Sequence, residues 1–583
     1  MIGRTSCSQV ASTLLKSQGD TPDVSPTPAR LLSLSPVGTD CEIRELTDPT
    51  HTRATGVVTD VARCMAMVER VVAYYRTLSG RLAPAPECLC LASGKGPSQV
   101  LEVLEQLTPP WADHAIASVY AVLMPGQRRK RFGVYFTPPH LVDHLLRRMR
   151  ACGLDPAQHR LRDSSAGGAA FLVPLAREMA STWLNEGVSP GEIISRLTAR
   201  LHGREIEPGL ALVANALLRR MLVRELGIPF ELVSDLSVIK VGDSLRACEL
   251  GNSDHELSNP PYLRLDAKGQ RRWKDRFVDI AGGRLNLYAM FVRKAIDEVP
   301  PNGLIGHVLP ASFLGGPEFS TFRRRIMQLA EVLVLDVVEK RRGVFLDAIQ
   351  DACFVVLRRR PEPVSNPTAG TASSGVLRHF GEFVLSGHAR LPADGLPWAL
   401  PGIDSNDLVS KLADYGYRGT VGYLVANRQS HLLHRRPAQG RFPLVWAKCI
   451  TSDGLFDFDR GRNAVKAGGR GFVTVPKDAS YVIRTPCVLV QRTSSNGQSR
   501  RLTAAAIPED FFKKYEALVG ENHVIILVPT RADAVPPEEL AAVLNGAEAN
   551  AMLSRICGSA SISVRVLESL PLPRPNPNKG TGG

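Results

Sequence analysis

Between about residues 131 and 360, short apolar runs alternate with segments whose apolar residues recur every three to four positions. "LIGHVLP" is one of the short apolar runs and follows a Pro-Pro-Asn-Gly turn. "LYAMFVRKAIDEV", just before it, has the helical period. Repeated alternation of this kind predicts a sheet whose strands are joined by crossover helices. "EVLVLDVV" and "ACFVVLRR" close the region and predict an antiparallel pair. One stretch is awkward: "AQHRLR", ahead of "DSSAGG", makes a poor buried strand.

Around this α/β segment the composition changes. Residues 1–55 are rich in Ser, Thr and Pro and read as a flexible tail. Residues 56–130 form a helical preface, with Val61, Met65, Val68, Val72 and Tyr75 on one face. Residues 361–374, "PEPVSNPTAGTASS", read as a linker. From 375 to 575 come short β-like runs ("FPLVWAKCI", "GFVTVP", "CVLVQRT", "HVIILVP") and one helix, "PEELAAVLNGAEANAMLSRI", which together predict a β-rich α+β domain.

The 583 residues carry a net charge of +14, concentrated in blocks such as Arg128-Arg129-Lys130-Arg131 and Arg323-Arg324-Arg325. Such blocks suit solvated faces or a polyanionic partner. Eleven cysteines are dispersed, and Cys88 and Cys90 form a lone C-x-C without further ligands nearby, so no metal site is expected. No apolar run approaches the ~18 residues of a membrane span. A cytoplasmic monomer with no membrane partner is expected.

"LSNPPYLRL", Leu257 to Leu265, carries the sharpest chemical signal. Two prolines stiffen a loop that starts with an amide and ends with an aromatic ring. The exocyclic amino group of a nucleobase is a poor nucleophile, because its lone pair is delocalised into the ring. Two acceptors aimed at its hydrogens localise that pair. The Asn259 side-chain oxygen and the Pro260 carbonyl, fixed by Pro261, supply both, and Tyr262 can stack on a base flipped out of a duplex. The alternative for these four residues is a proline-stiffened turn.

With its flanking motifs, this loop resembles that of the gamma-class adenine-N6 DNA methyltransferases of restriction–modification systems. The resemblance covers about 131–360 and extends more loosely to about 573. It implies a doubly wound S-adenosylmethionine-dependent methyltransferase domain, with the helical preface before it and a target-recognition domain after it. "FGVYFTPPHLVDHLL" is similar to the family's first motif, which implies cofactor contacts from Tyr135, Thr137 and Pro138. "LRDSSAGGAAFL" stands where the family has Asp-Pro-Ala-Cys-Gly-x-Gly-x-Phe. Asp163, Gly167 and Phe171 match; Ser164, Ser165 and Ala169 depart. "LHGREIEPG" places Glu205 for the cofactor's ribose hydroxyls and Ile206 against its adenine, and Asp243 of "VGDSL" would accept from the adenine amino group. "LPASFLGGPEFSTFRRRI" resembles the family's Pro-x-Ser-Phe and Arg pattern and reads as scaffold. In "RRGVFLDAIQ", Phe345 resembles the residue bordering the base pocket.

Beyond the linker the resemblance is to a recognition domain, in which Arg428, Gln429, Arg492, Asn496, Gln498 and Arg500 are types that read base edges or hold phosphates. The implied activity is transfer of a methyl group from S-adenosylmethionine to N6 of a flipped adenine at a short site in duplex DNA. A cognate restriction endonuclease would act on the same site without needing to bind this chain. Other readings are an RNA or protein-glutamine methyltransferase, a bifunctional restriction enzyme, or a DNA-binding protein with an eroded cofactor loop.

Overall fold

The computed structural model describes residues 59–132, 136–246, 253–339, 352–378, 381–398, 400, 410–493, 500–556 and 562–575. The expected tail, 1–55, lies outside them. The described residues divide into two compact units, one up to Pro261 and the other from Tyr262 onward.

The first unit opens with five helices: α1 (Val61–Arg76), α2 (Pro84–Ala92), α3 (Ser98–Gln106), α4 (Pro109–Leu123) and α5 (Gly126–Phe132). On α1 the buried face comprises Cys64, Met67, Val68, Val71, Val72 and Tyr75. Val61 and Met65 sit at its margin, half-buried. Helix α4 is buried continuously from Trp111 to Tyr120, so it is the hub of the preface.

After α6 (Pro139–Ala151) come β1 (Leu161–Asp163), α7 (Leu172–Asn185), α8 (Pro190–Arg200), β2 (Leu201–Glu205), α9 (Pro208–Arg224), β3 (Ile239–Val241) and β4 (His255–Ser258). The strands lie in the order β3-β2-β1-β4. Every neighbouring pair among them is parallel. Each crossover helix has a local cause. Proline at the first turn starts α6, α8 and α9, where its missing N–H is not needed. Leu210, Val213, Ala214, Leu217, Leu218 and Met221 form the buried stripe of α9. Asn215 on that helix bonds both the N–H (3.0 Å) and the carbonyl (2.8 Å) of Ile239, clamping β3 to it. Gly203 in β2 allows the close packing, since a Cβ there would lie 2.6 Å from Leu172 and 2.9 Å from Ile239.

The awkward stretch "AQHRLR" does enter the sheet. Arg162 on β1 is 2% exposed, and its register partner on β4 is Glu256, 1% exposed. Their side chains meet at 2.6 Å, and Ser164 donates to the other Glu256 oxygen at 2.8 Å. A buried charge is tolerated where it is paired and hydrogen-bonded.

The second unit holds β5 (Leu304–Pro310), β6 (Ala330–Val338), β7 (Ala352–Arg359), β8 (Gly370–Leu377) and β9 (Phe383–Leu391), in the order β5-β7-β6-β8-β9. Strands β6 and β7 are the expected antiparallel pair. The expected linker 361–374 is corrected at its end: from Gly370 the chain is strand β8, parallel to β6 and antiparallel to β9. Its Ser- and Gly-rich composition suggests a spacer, but partners on both sides satisfy its backbone. Buried Asp336 also accepts from the Gly375 N–H at 2.8 Å, where the β8–β9 register shifts.

Two four-stranded sheets follow, built from β10 (Tyr417–Val421), β11 (Leu433–His434), β12 (Arg441–Val445), β13 (Phe472–Thr474), β14 (Val488–Gln491), β15 (Ala504–Ala506), β16 (Val519–Gly520) and β17 (Val524–Pro529). Their orders are β10-β17-β14-β15 and β11-β13-β12-β16. The last expected helix is two helices, Pro537–Asn545 and Ala547–Ile556, divided at Gly546. Asn545 bonds the N–H (2.9 Å) and the carbonyl (2.8 Å) of Ala504, pinning the first helix to the edge of β15. The chain therefore has the expected fold class: an α/β architecture whose parallel strands are joined by crossover helices, with a helical preface and a β-rich α+β part.

Candidate active site

In an open parallel sheet, ligands sit beyond the carboxyl ends of the strands, where chain order reverses. In the first unit that reversal falls at β1, with β2 on one side and β4 on the other. The loops leaving these three strands carry Asp163, Glu205 and Asn259.

Asp163 ends β1 and is 1% exposed. Its Oδ1 accepts from the Ser165 N–H at 3.0 Å and the Ser258 hydroxyl at 2.7 Å. Burial outweighs these bonds and pushes its carboxyl up to about 7. Glu205 ends β2; Oε2 accepts from the Gly167 N–H and Oε1 from the Glu207 N–H, both at 2.9 Å. Burial pushes it, too, up to about 7.

The glycine-rich loop turns twice through the left-handed region, at Gly167 (φ 51°) and at Ala169 (φ 61°). Phe171 is buried and begins α7, so its ring packs in the core. Ile206, beside Glu205, is 46% exposed, an apolar side chain presented to solvent next to a carboxylate. Asp243 is half-buried, accepts from the Leu245 N–H at 3.0 Å, and pairs with Arg246 at 3.2 Å. Thr137 and Pro138 are buried at the entrance to α6. Tyr135 lies outside the described residues.

Asn259 directly follows β4. Its Nδ2 donates to Thr137 Oγ1 at 2.9 Å, and its carbonyl accepts from the Ser165 hydroxyl at 3.1 Å. Pro260 is buried and Pro261 half-buried. Thus Thr137, Asn259 and Asp163 are linked through Ser165 and Ser258, and Glu205 is bonded to the same glycine-rich loop at Gly167. Sequence reasoning missed the serines that join them, Ser165 and Ser258. It also missed Glu207, which accepts from Tyr120 at 3.2 Å and pairs with Arg128 at 2.9 Å, tying the preface to the end of β2. The only signal for Ser165 was the Ser-Ser departure from the family's Pro-Ala.

In the second unit, Tyr262 is half-buried, its hydroxyl donates to the Val308 carbonyl at 3.0 Å, and its ring stands edge-to-face with Tyr288 at 6.2 Å. Burial pushes the phenol well above its ordinary range. The hydroxyl therefore has a structural task. Tyr262→Phe is expected to lower stability by about 1 kcal/mol, the net value of one such bond, measured as a fall in the unfolding midpoint. Phe345 lies outside the described residues, as do Asn496 and Gln498. Arg428 is exposed. Gln429 instead accepts from the Val425 N–H at 3.0 Å, Arg492 donates to the Asn522 carbonyl at 3.0 Å, and Arg500 donates to the Ser452 carbonyl at 2.7 Å.

Residues 255–345, beginning at β4 and including Asn259–Tyr262, match the family described as Eco57I restriction-modification methylase. The Type II methyltransferase M.PstI of Providencia stuartii is 34% identical over 89 residues, 15% of this chain and 17% of that protein. The Type II methyltransferase M.BsuBI of Bacillus subtilis is 30% identical over 105 residues, 18% of this chain and 21% of that protein. The similarity thus spans about a fifth of each relative's length. Among solved structures, the Type IIL restriction-modification enzyme MmeI in complex with DNA is 12% identical, with a TM-score of 0.49 and 88% of each chain covered. Over its matched segment, this chain is similar to restriction–modification methyltransferases.

Proposed function

We propose that this protein is a site-specific DNA methyltransferase that uses S-adenosylmethionine to methylate N6 of an adenine flipped out of a short duplex sequence. Its product would be protected from a cognate restriction endonuclease. The observation that carries this reading is the anchored amide of Asn259. With Nδ2 held by Thr137, Oδ1 is the other arm of the planar amide and points away from that bond.

The residues at and after the strand ends fit the cofactor. Glu205 offers two oxygens that already accept main-chain bonds and can accept ribose hydroxyls, while exposed Ile206 offers a flat apolar surface. Gly168 lets the loop pack closely, since a Cβ there would lie 2.6 Å from Ala117. When bound, S-adenosylmethionine supplies an activated methyl group. Asn259 Oδ1 and the Pro260 carbonyl accept the two N6 hydrogens and turn the nitrogen lone pair out of the ring. Tyr262 stacks on the flipped base. Once alkylated, the nitrogen is acidic, so its proton leaves without a strong base. Recognition of the duplex belongs to the β-rich part from 410 onward.

The pH dependence of cofactor binding follows from Glu205. An acid raised to about 7 holds its proton in the folded, unliganded chain well above the unfolded value of ~4.3. Its contribution to stability therefore falls as pH rises from about 4 to 7 and is level above. Hydroxyl donors favour the ionised form, so S-adenosylmethionine affinity should rise about 10-fold between pH 6 and 8. Calorimetric titration across that range measures it.

The function itself is tested by mapping modified bases in DNA from cells expressing the chain. The expected result is N6-methyladenine at one position of one short motif, absent from cells carrying Asn259→Ala. DNA without methyladenine, alongside methylated RNA or protein glutamine, overturns the reading.

A further inference from the structure

Asn259 is held from two directions by residues outside its own strand. From the start of α6, Thr137, 3% exposed, accepts from the side-chain Nδ2 at 2.9 Å. From the glycine-rich loop, Ser165 donates to the main-chain carbonyl of Asn259 at 3.1 Å. Ser165 Oγ also lies 2.6 Å from Ser258 Oγ, which lies 2.7 Å from Asp163 Oδ1, so two hydroxyl protons serve the three contacts between Asp163 and Asn259. The chain of bonds thus runs from the end of β1 to the residue after β4.

We propose that Thr137 and Ser165 are positioning residues for Asn259: Thr137 holds its side-chain amide and Ser165 sets the place of its backbone. The loop proposed to hold the cofactor then also aims the acceptor that holds the substrate nitrogen. This rests on the methyl-transfer reading above and deepens it.

The two ends of an asparagine amide have nearly the same shape and opposite hydrogen-bonding character. If Oδ1 faced Thr137, the NH2 group would face the amino group of the substrate, donor against donor. The Thr137 hydroxyl can accept or donate, so its part is to hold the amide in place, here by accepting from Nδ2 at 2.9 Å from a position 3% exposed. Family resemblance gives Thr137 to the cofactor; its hydroxyl oxygen here serves the catalytic amide. Ser165 stands where the family pattern has alanine, which has no hydroxyl to donate. In this chain the link between the loops runs through Ser165 and Ser258.

The test is single-turnover methylation of a saturating duplex by the full chain, with S-adenosylmethionine affinity measured separately. Thr137→Val keeps the shape and removes the acceptor; it should slow methyl transfer about 10- to 100-fold, the scale of a small misplacement of a reacting group, with cofactor affinity kept. Thr137→Ser should restore most of the rate, which a purely steric role would not predict. Ser165→Ala should slow transfer in the same sense, so the outcome does not depend on one variant folding. An unchanged saturated rate in both Thr137→Val and Ser165→Ala overturns the proposal. So does a loss confined to cofactor affinity. If the parent chain methylates no adenine, the functional reading falls. The positioning claim is then decided by selective 15N-asparagine labelling. A side-chain NH2 signal of Asn259, assigned by its loss in Asn259→Ala, that is unmoved by Thr137→Val refutes it.

Discussion

Asn259→Ala is expected to lower the single-turnover rate of adenine methylation at least ~100-fold, the scale of deleting one preorganised transition-state hydrogen bond. Cofactor and DNA affinity should be largely kept. The reason for the split is geometric. Among the described residues the Asn259 side chain bonds Thr137 and carries no part of the core, so its loss leaves β4 and the glycine-rich loop in place. What disappears is one of the two acceptors on N6, an interaction that strengthens as the nitrogen becomes positive. A variant that methylates adenine at near the parent rate would reduce the Asn-Pro-Pro-Tyr loop to a stiff turn. Equal losses in rate and in cofactor affinity would assign Asn259 to the cofactor instead.

Glu256→Ala should be the most destabilising single change in the sheet of the first unit. It strands Arg162, 2% exposed, without its carboxylate, and leaves the Ser164 hydroxyl without its acceptor. Breaking a buried pair from one side typically costs about 3–5 kcal/mol. Replacing Arg162 and Glu256 together by apolar residues of similar volume should recover most of that, because no uncompensated charge remains. Unfolding curves for the single and double variants measure both terms. A single-variant loss below about 1 kcal/mol would mean that water reaches Arg162, and that β1 and β4 do not depend on the pair.

The contrast between these two residues shows what the sequence could reveal. Asn259, Glu205 and Asp163 were legible because they stand in motifs that resemble a known family's, at or just after strand ends, where ligands of a parallel sheet are met. The α/β alternation was legible because strands buried on both faces are continuously apolar. Arg162 and Glu256 were not, since a charged residue looks foreign to a buried strand until its partner, 94 positions away, is known. Ser165 and Ser258 are separated by 93 positions, and serine beside glycine reads as ordinary loop. The same blindness to distant partners explains the two corrections to secondary structure. β8 was mistaken for spacer because its backbone partners lie in β6 and β9. The division at Gly546 was missed because Asn545 is called away by Ala504, on a different element.

Ala169 carries one more consequence. The family's pattern has glycine at this place, and the alanine here still turns with φ 61°, fully buried. A left-handed alanine is strained by roughly 1–2 kcal/mol, so the surrounding chain enforces the loop's path against the preference of its own residue. What the fold requires at this position is a dihedral angle, and an alanine meets it here at a cost that glycine would not bear.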